Sequence, residues 1–261
     1  MWGAIIGDLA GSIYEYSQYK KTSLITVDKI IDKNAFFSDD TILTVAIYDA
    51  ILHDKNYEKY LRMYGKRFLD YKPNTSIGKH FESPFGSGFK EWLLGKNVGN
   101  SIGNGAMMRI SGVGFMFDRI QDVEKNAKLA TIPSHNSIEA ISCATTIAKI
   151  IYYAQKGMGK DDIMNYLGMN FVSYKPFEKF NKTCNETIGN CLYVLFTSHN
   201  FEEAIRSIIT LGGDTDTNAC IVGAMAEALY GVPGYLIYEA RRKLPKEVAT
   251  VLDRVYYLKR G

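Results

Sequence analysis

Two short stretches of the chain each place paired acids and hydroxyls where an apolar helix is set to begin. One is FSDDT, residues 37–41, followed by ILTVAIYDAIL; the other is LGGDTDTNA, residues 211–219, followed by CIVGAMAEALY. Ser38, Asp39, Asp40 and Thr41 crowd the first mouth. Asp214, Asp216 and Thr217 crowd the second, behind a turn made by Gly212 and Gly213. A single acid is enough to cap a helix, where it contributes about 0.3–1 kcal/mol. Two at each mouth exceed that need. Hard oxygen donors in this number suit magnesium, calcium or manganese better than zinc. If the two mouths face each other, four carboxylates share one site and cannot all stay ionised without cations. Two divalent ions, roughly 3.5–4 Å apart, would relieve the repulsion and make a catalytic centre. Plain helix capping is the competing reading of the same residues.

Rival acid motifs fail by position. Asp214, Asp216 and Asn218 mimic the start of an EF-hand loop, but that loop then needs glycine and glutamate where Ala219 and Met225 stand. A prenyl-transfer D-D-x-x-D motif would need an acid at Leu43. The four histidines, at 53, 80, 135 and 199, and the four cysteines, at 143, 184, 191 and 220, show no zinc-ligand spacing. Unpaired, widely spaced cysteines read as buried thiols of a cytoplasmic protein.

The elements that must position these acids are helical. Apolar periodicity predicts helices over Gly3–Tyr16, Thr41–His53 (capped by Ser38 or Asp39), Tyr57–Tyr71, a glycine-interrupted Met107–Phe117, Asp122–Thr131 and Asn136–Lys156. It predicts more over Asp161–Leu167, Thr187–Thr197, Phe201–Leu211, Thr217–Tyr230, Pro233–Leu244 and Lys246–Lys259. Ser23–Ile31 is the one plausible extended piece. With 261 residues, 46% hydrophobic and 23% charged, no linker and no repeat, the chain reads as one all-α domain over 1–261. A net charge of +3 gives no footprint for nucleic acid or a membrane surface. No apolar run reaches the roughly 18 residues of a membrane span. The first residues, with Asp8 and no basic start, do not read as a secretory leader.

Taken together in order, the motifs resemble those of the ADP-ribosylglycohydrolases, the relatives of dinitrogenase-reductase-activating glycohydrolase and of the ADP-ribosylarginine and ADP-ribosylserine hydrolases. GAIIGDLAGSIYE (3–15) is similar to the N-terminal G-D-x-x-G-x-x-x-E signature of that family. FSDDT (37–41) and LGGDTDTNA (211–219) resemble its two metal motifs, GNGAMMRI (103–110) its glycine-rich loop, and PSHNSIEAI (133–141) its histidine segment. The resemblance spans nearly the whole chain. It implies an all-α fold, a compact orthogonal multi-helix bundle, with two magnesium ions that manganese can replace. The implied reaction cleaves a bond to the anomeric carbon of ADP-ribose. The implied metal ligands are Ser38, Asp39, Asp40, Asp214, Asp216 and Thr217, with Asp216 between both ions. Ser38 stands where relatives often have threonine, Ser134 likewise, and Met107 where they commonly have a small residue.

The implied chemistry suits the residues. Two vicinal ribose hydroxyls can ligate cations, which also acidify water; Asp39 or Asp40 would take its proton. The bond breaks through an oxocarbenium-like state. Gly103, Asn104 and Gly105 would approach the ribose and diphosphate, with Met107, His135 and Gly213 also at the substrate. Glu15 lies seven residues after Asp8, on one helix face with it. It is expected to serve the substrate and not the metals, while Asp8 reads as a structural hydrogen-bond acceptor. Arg109 reads equally as a diphosphate clamp or a buried structural partner. Tyr14, Tyr16 and Phe85 are candidate adenine-stacking rings, two of the three expected in the core. The expected partner is an ADP-ribosylated substrate, a protein first and at arginine, with free ADP-ribose as product. Serine-linked ADP-ribose, O-acetyl-ADP-ribose and modified nucleic-acid ends stay open. So does a non-enzymatic ADP-ribose-binding relative, which the presence of all four acids disfavours, and so does a phosphoesterase.

Overall fold

Both acid-tipped helices are apolar on nearly every face, and a helix of that kind is stable only inside a core. The computed structural model, which describes residues 2–20, 23–80, 83–169 and 176–260, places both there. α1 (Trp2–Lys20) is followed by α2 (Asp39–Leu52), α3 (Tyr57–Arg67), α4 (Ser87–Leu93), α5 (Gly105–Met108), α6 (Ser111–Met116) and α7 (Ile120–Thr131). Then come α8 (Ile138–Gln155), α9 (Lys160–Tyr166), α10 (Cys184–Thr197), α11 (Phe201–Thr210), α12 (Thr215–Tyr230), α13 (Gly234–Lys243) and α14 (Lys246–Arg260). Among the described residues no strand forms. Pairing is limited to two isolated bridges, Asn100 with His135 and Gly103 with Thr183. The fold is an all-α multi-helix bundle, as the periodicity predicts.

α12 is its axis. Every residue from Thr215 to Ala226 is buried, and α1, α11, α8, α10 and α5 pack around it. α1 lies closest. Gly3, Gly7 and Gly11 form a stripe along α1, and a Cβ added at each would fall 2.1, 2.0 and 2.3 Å from the carbonyl oxygens of Gly223, Ala219 and Thr215. The two helices therefore run antiparallel, backbone against backbone. Both ends are pinned. Gly3 N–H donates to Glu227 Oε2 at 2.5 Å, and Thr215 Oγ1 donates to the Gly11 carbonyl at 2.9 Å.

Helix starts obey the expected chemistry. Ser38 caps α2, Ser137 caps α8 and Asn200 caps α11, while Thr183 and Glu186 form a reciprocal capping box on α10. α1 runs on to Lys20 and α10 starts earlier, at Cys184; other elements differ from expectation for tertiary reasons. α3 ends at Arg67 rather than Tyr71, because Phe68 and Tyr71 leave the helix to pack on Phe37: the Phe37 and Tyr71 rings stack 4.4 Å apart. Met107–Phe117 divides into α5 and α6, breaking at Arg109 and Ile110. Ser23–Ile31 finds no pairing partner; its backbone is held by side chains, including Tyr14 OH on the Thr26 carbonyl. α4 has no counterpart in the periodicity. It is seven residues long between glycines, and the burial of Trp92 and Leu93 holds it, with the Arg62 guanidinium 4.0 Å from the Trp92 ring centre.

The α1–α12 contact makes a direct prediction. Gly7→Ala forces a methyl into a backbone carbonyl, and overpacking of this kind typically costs about 1–3 kcal/mol or more. Urea unfolding should show that loss. The control Gly88→Ala, in α4 with open space at its Cβ position, should be neutral or slightly stabilising. Equal stability of Gly7→Ala and wild type would mean the helices are not in backbone contact.

Candidate active site

α1 carries the anchors for the first acid mouth. Asp8 is fully buried, and its Oδ2 accepts from Ser38 N (2.9 Å), Thr41 N (3.0 Å) and Thr41 Oγ1, while Oδ1 accepts from Ser38 Oγ (2.9 Å). Asp8 thus caps α2 from another helix, in the structural role read from the sequence. One turn on, Ser12 Oγ accepts from Phe36 N at 3.1 Å and fixes the approach to the mouth. The second mouth is set by Asn181, a residue that carries no pattern in the sequence. Its Oδ1 accepts from Asp214 N at 2.8 Å, and its Nδ2 donates to Thr187 Oγ1 and Asn218 Oδ1.

The two mouths meet. Thr217 Oγ1, at the start of α12, donates to Asp40 Oδ2, at the start of α2, across 3.1 Å. One carboxylate oxygen each of Asp8, Asp40 and Asp216 lie within 4.8 Å of one another, and so do those of Glu15, Asp214 and Asp216. Asp216 belongs to both groups. Asp40 is fully buried, and among the described residues its Oδ1 has no hydrogen-bond partner. A buried, unpartnered carboxylate oxygen inside an all-oxygen set with excess negative charge fits a hard divalent cation.

Burial and mutual repulsion raise every one of these acids. Asp8 is pushed up to about 7 by burial and then by Asp216. Asp214 rises to about 6 by burial, eased by the Asp216 and Asn104 hydrogen bonds. Glu15, Asp39 and Asp40 sit well above the carboxylate range through burial and then Asp216, and Asp216 through burial and then Asp214.

A cavity of about 1060 Å³ opens over the acids. Glu15, Asp39, Asp214, Asp216 and Thr217 reach it; Ser38 and Asp40 lie beneath. Gly103, Asn104, Gly105 and His135 form part of its wall. The bridges from Asn100 and Gly103 clamp this loop to the histidine segment and to the start of α10. Asn104 is occupied within the protein. Its N–H donates to the Lys182 carbonyl (2.9 Å) and its Nδ2 to Asp214 Oδ2 (2.8 Å), so it steadies an acid.

Two residues expected at the ligand lie elsewhere. Met107 points into the core and is 1% exposed, because the short α5 turns that face inward and presents Met108 to the cavity instead. Gly213 lies outside the cavity. At φ +72°, an added Cβ would sit 2.1 Å from Asn181 Oδ1, so the missing side chain is what lets Asn181 reach Asp214. Arg109 is fully buried, bonds to Ser134 through Nη2 and forms part of the cavity wall, while among the described residues its Nε and Nη1 have no hydrogen-bond partner, so both of its readings stand. Tyr16 and Phe85 line the cavity, Tyr16 stacked on His80 at 4.4 Å, while Tyr14 does not. Sequence reasoning did not find the rim pair Lys20 and Lys182, whose ammonium groups lie 5.1 and 5.9 Å from the Tyr19 ring centre.

The family model for ADP-ribosylglycohydrolases matches residues 1–258. The chain belongs to the ADP-ribosylglycohydrolase family. It is therefore a hydrolase of the glycosidic-bond class. A protein of Acanthamoeba polyphaga mimivirus named as an ADP-ribosyl glycohydrolase is 25% identical, over 87% of this chain and 84% of its own. ADP-ribosylhydrolase ARH3 of Mus musculus is 22% identical, over 88% and 82%. ADP-ribosylarginine hydrolase Tri1 of Pseudomonas putida is 22% identical, over 89% and 70%. Among solved structures, an ADP-ribosylglycohydrolase-related protein complex shares the fold at a TM-score of 0.75 and 18% identity, over 98% of this chain and 94% of that one.

The raised acids of this ADP-ribosylglycohydrolase site fix a pH dependence. A carboxyl group whose folded pKa exceeds its unfolded value favours folding most while protonated, so that stability is lost as pH rises from about 4 towards about 7. In excess chelator the melting temperature should fall between pH 5 and pH 8. Asp216→Asn should raise it at pH 8 and change it less at pH 5. Calorimetric scans across that range check both; a wild-type melting temperature that climbs with pH would contradict the clustering.

Proposed function

We propose that this protein is a magnesium-dependent hydrolase that releases ADP-ribose from a modified acceptor by cleaving the bond at the anomeric carbon of the distal ribose. The observation that carries this reading is the meeting of Glu15, Asp214 and Asp216 on the floor of a cavity large enough for a nucleotide sugar. Arginine of a modified protein is our first choice of acceptor: a cavity floored by acids favours a guanidinium leaving group through charge-assisted hydrogen bonds, and the Pseudomonas relative is named for that substrate. No helix among the described residues is long and apolar enough to cross a membrane. The four cysteines are unbridged, which supports work in the reducing cytoplasm. One continuous core supports a single domain over 1–261.

Ser38, Asp39, Asp40, Asp214, Asp216 and Thr217 would hold two ions, magnesium first and manganese in its place. Bound there, such ions would offset the acids' charge and supply Lewis acidity towards ribose hydroxyls and water. Between the two candidates for the proton acceptor, Asp39 reaches the cavity and Asp40 does not, so we assign the proton to Asp39. Asp8 keeps Ser38 and the start of α2 in place, and Asn104 and Asn181 hold Asp214. Glu15 lies beside Asp214 and Asp216 and lines the cavity; we assign it to the substrate.

The test is a panel of ADP-ribosylated arginine, serine and oligonucleotide substrates, with free ADP-ribose as the readout. Turnover should stop with chelator and return with magnesium or manganese. Full activity in excess chelator, with no metal retained on the protein, would overturn the reading. Asp216→Asn should fold and lose at least ~10²-fold in rate, the usual worth of a positioned acid or charge clamp.

Glu15→Gln should keep magnesium affinity while losing turnover, with the larger loss on ADP-ribosylarginine than on an uncharged leaving group. Calorimetric magnesium titration beside both rates decides it. A collapse of metal affinity would make Glu15 a ligand, and equal losses would remove it from acceptor choice.

A further inference from the structure

Beneath the histidine wall of the cavity lies a chain of three side chains. Arg109, at the end of α5, is fully buried. Its Nη2 donates to Ser134 Oγ at 2.8 Å and to the Ala130 carbonyl at 3.4 Å. Ser134 Oγ lies 2.8 Å from His135 Nδ1, and both residues are buried, 3% and 7% exposed. A guanidinium can only donate. Ser134 Oγ therefore accepts from Arg109 and keeps its own proton to give, with His135 Nδ1 in reach to take it if that nitrogen is bare. A neutral imidazole that accepts at Nδ1 carries its proton on Nε2.

We propose that Arg109 and Ser134 are positioning residues that lock His135 as a neutral imidazole with its proton on Nε2, donating into the cavity to an oxygen of the bound nucleotide. This rests on the reading of the cavity as the ADP-ribose site. The direction of Nε2 is given by the glycine loop. A Cβ placed on Gly103 or on Gly105 would lie 3.5 Å from it, so both bare backbones leave the space in front of Nε2 to a ligand. The histidine backbone is held as well, by His135 N on the Thr131 carbonyl at 3.0 Å and by the bridge to Asn100.

The alternatives are worse. An imidazolium would place a second cation beside the Arg109 guanidinium inside the protein. Burial, and then Arg109, hold the His135 pKa well below its ordinary value. The opposite neutral tautomer would give Ser134 Oγ two donors, send its hydroxyl proton elsewhere in a buried site, and present a bare lone pair to the cavity. That lone pair would repel a phosphate oxygen, which has no proton to give it. A fixed Nε2–H selects an oxygen acceptor, and does so without adding positive charge near the acids.

Long-range proton–nitrogen NMR of the full chain reads the tautomer directly, with the His135 signals assigned by their loss in His135→Gln. The expected result is a single neutral Nε2–H form from pH 6 to pH 8, before any ligand is added. Ser134→Thr keeps the hydroxyl and should keep that signature. Ser134→Ala should mix the tautomers and weaken ADP-ribose binding by about tenfold or less, the worth of one neutral hydrogen bond. An Nδ1–H form or an imidazolium in the wild type would overturn the proposal, and so would Ser134→Ala with an unchanged tautomer. If the protein failed to bind ADP-ribose at all, the cavity reading would fall, while the tautomer measurement would still decide the relay.

Discussion

At Gly7 an added Cβ would lie 2.0 Å from the carbonyl of Ala219, closer than any side chain permits, and the site depends on that contact. Ordinary helix pairs keep their axes about 8–10 Å apart because side chains interdigitate between them. The stripe of Gly3, Gly7 and Gly11 removes that spacer, and small residues let backbones approach. Residues just beyond the stripe are then delivered to α12 at short range. Thr215 bonds to the Gly11 carbonyl, and Glu15, one turn beyond Gly11, arrives beside Asp214 and Asp216. α1 also holds α2, through Asp8 on Ser38 and Thr41 and through Ser12 on Phe36. One helix thereby sets the distance between the two acid mouths.

That geometry is electrostatically costly. Buried carboxylates within a few ångströms of one another are stable only if they are protonated, hydrogen-bonded or neutralised by cations. The protein supplies hydrogen bonds to some of them. Asp8 has donors on both oxygens, and Asp214 is held by Asn104 and backbone-fixed by Asn181. Among the described residues the one buried carboxylate oxygen left without a donor is Asp40 Oδ1, where the two mouths meet. A site arranged this way is already shaped, and a bound cation, as proposed, would relieve its repulsion.

Much of this is legible in the sequence, and the boundary has physical causes. The helical class comes from periodicity, because α2, α8 and α12 are long and strongly apolar. The acid mouths are legible because two acids exceed what a cap requires. The readings of Met107 and Gly213 as ligand contacts come from position within a motif. A motif fixes the backbone path but not which face of a four-residue helix points outward. Asn181 has no signal at all: it lies 33 residues from Asp214, and only the folded chain brings them together. α4 is invisible because seven residues between glycines carry too little periodicity, and what holds it is tertiary burial of Trp92. The glycine stripe is readable as a four-residue spacing of Gly3, Gly7 and Gly11, yet its meaning needs a partner helix of equally small residues.

Arg109 joins the two halves of the cavity. On one side, burial and then Asp216 and Asp8 raise the Asp39 carboxyl, and the Arg109 charge opposes them weakly. On the other it donates through Ser134 towards His135. The break between α5 and α6 falls at this residue, so the same interruption that ends a short helix brings a buried guanidinium between the acid mouth of α2 and the histidine wall. The acid proposed to accept a proton and the histidine proposed to present one therefore both feel this fixed charge, beside the larger effect of burial on each. A change at Arg109 cannot be confined to either half. Ser134 is the better handle on the histidine, because its hydroxyl touches His135 without altering the charge that Asp39 feels.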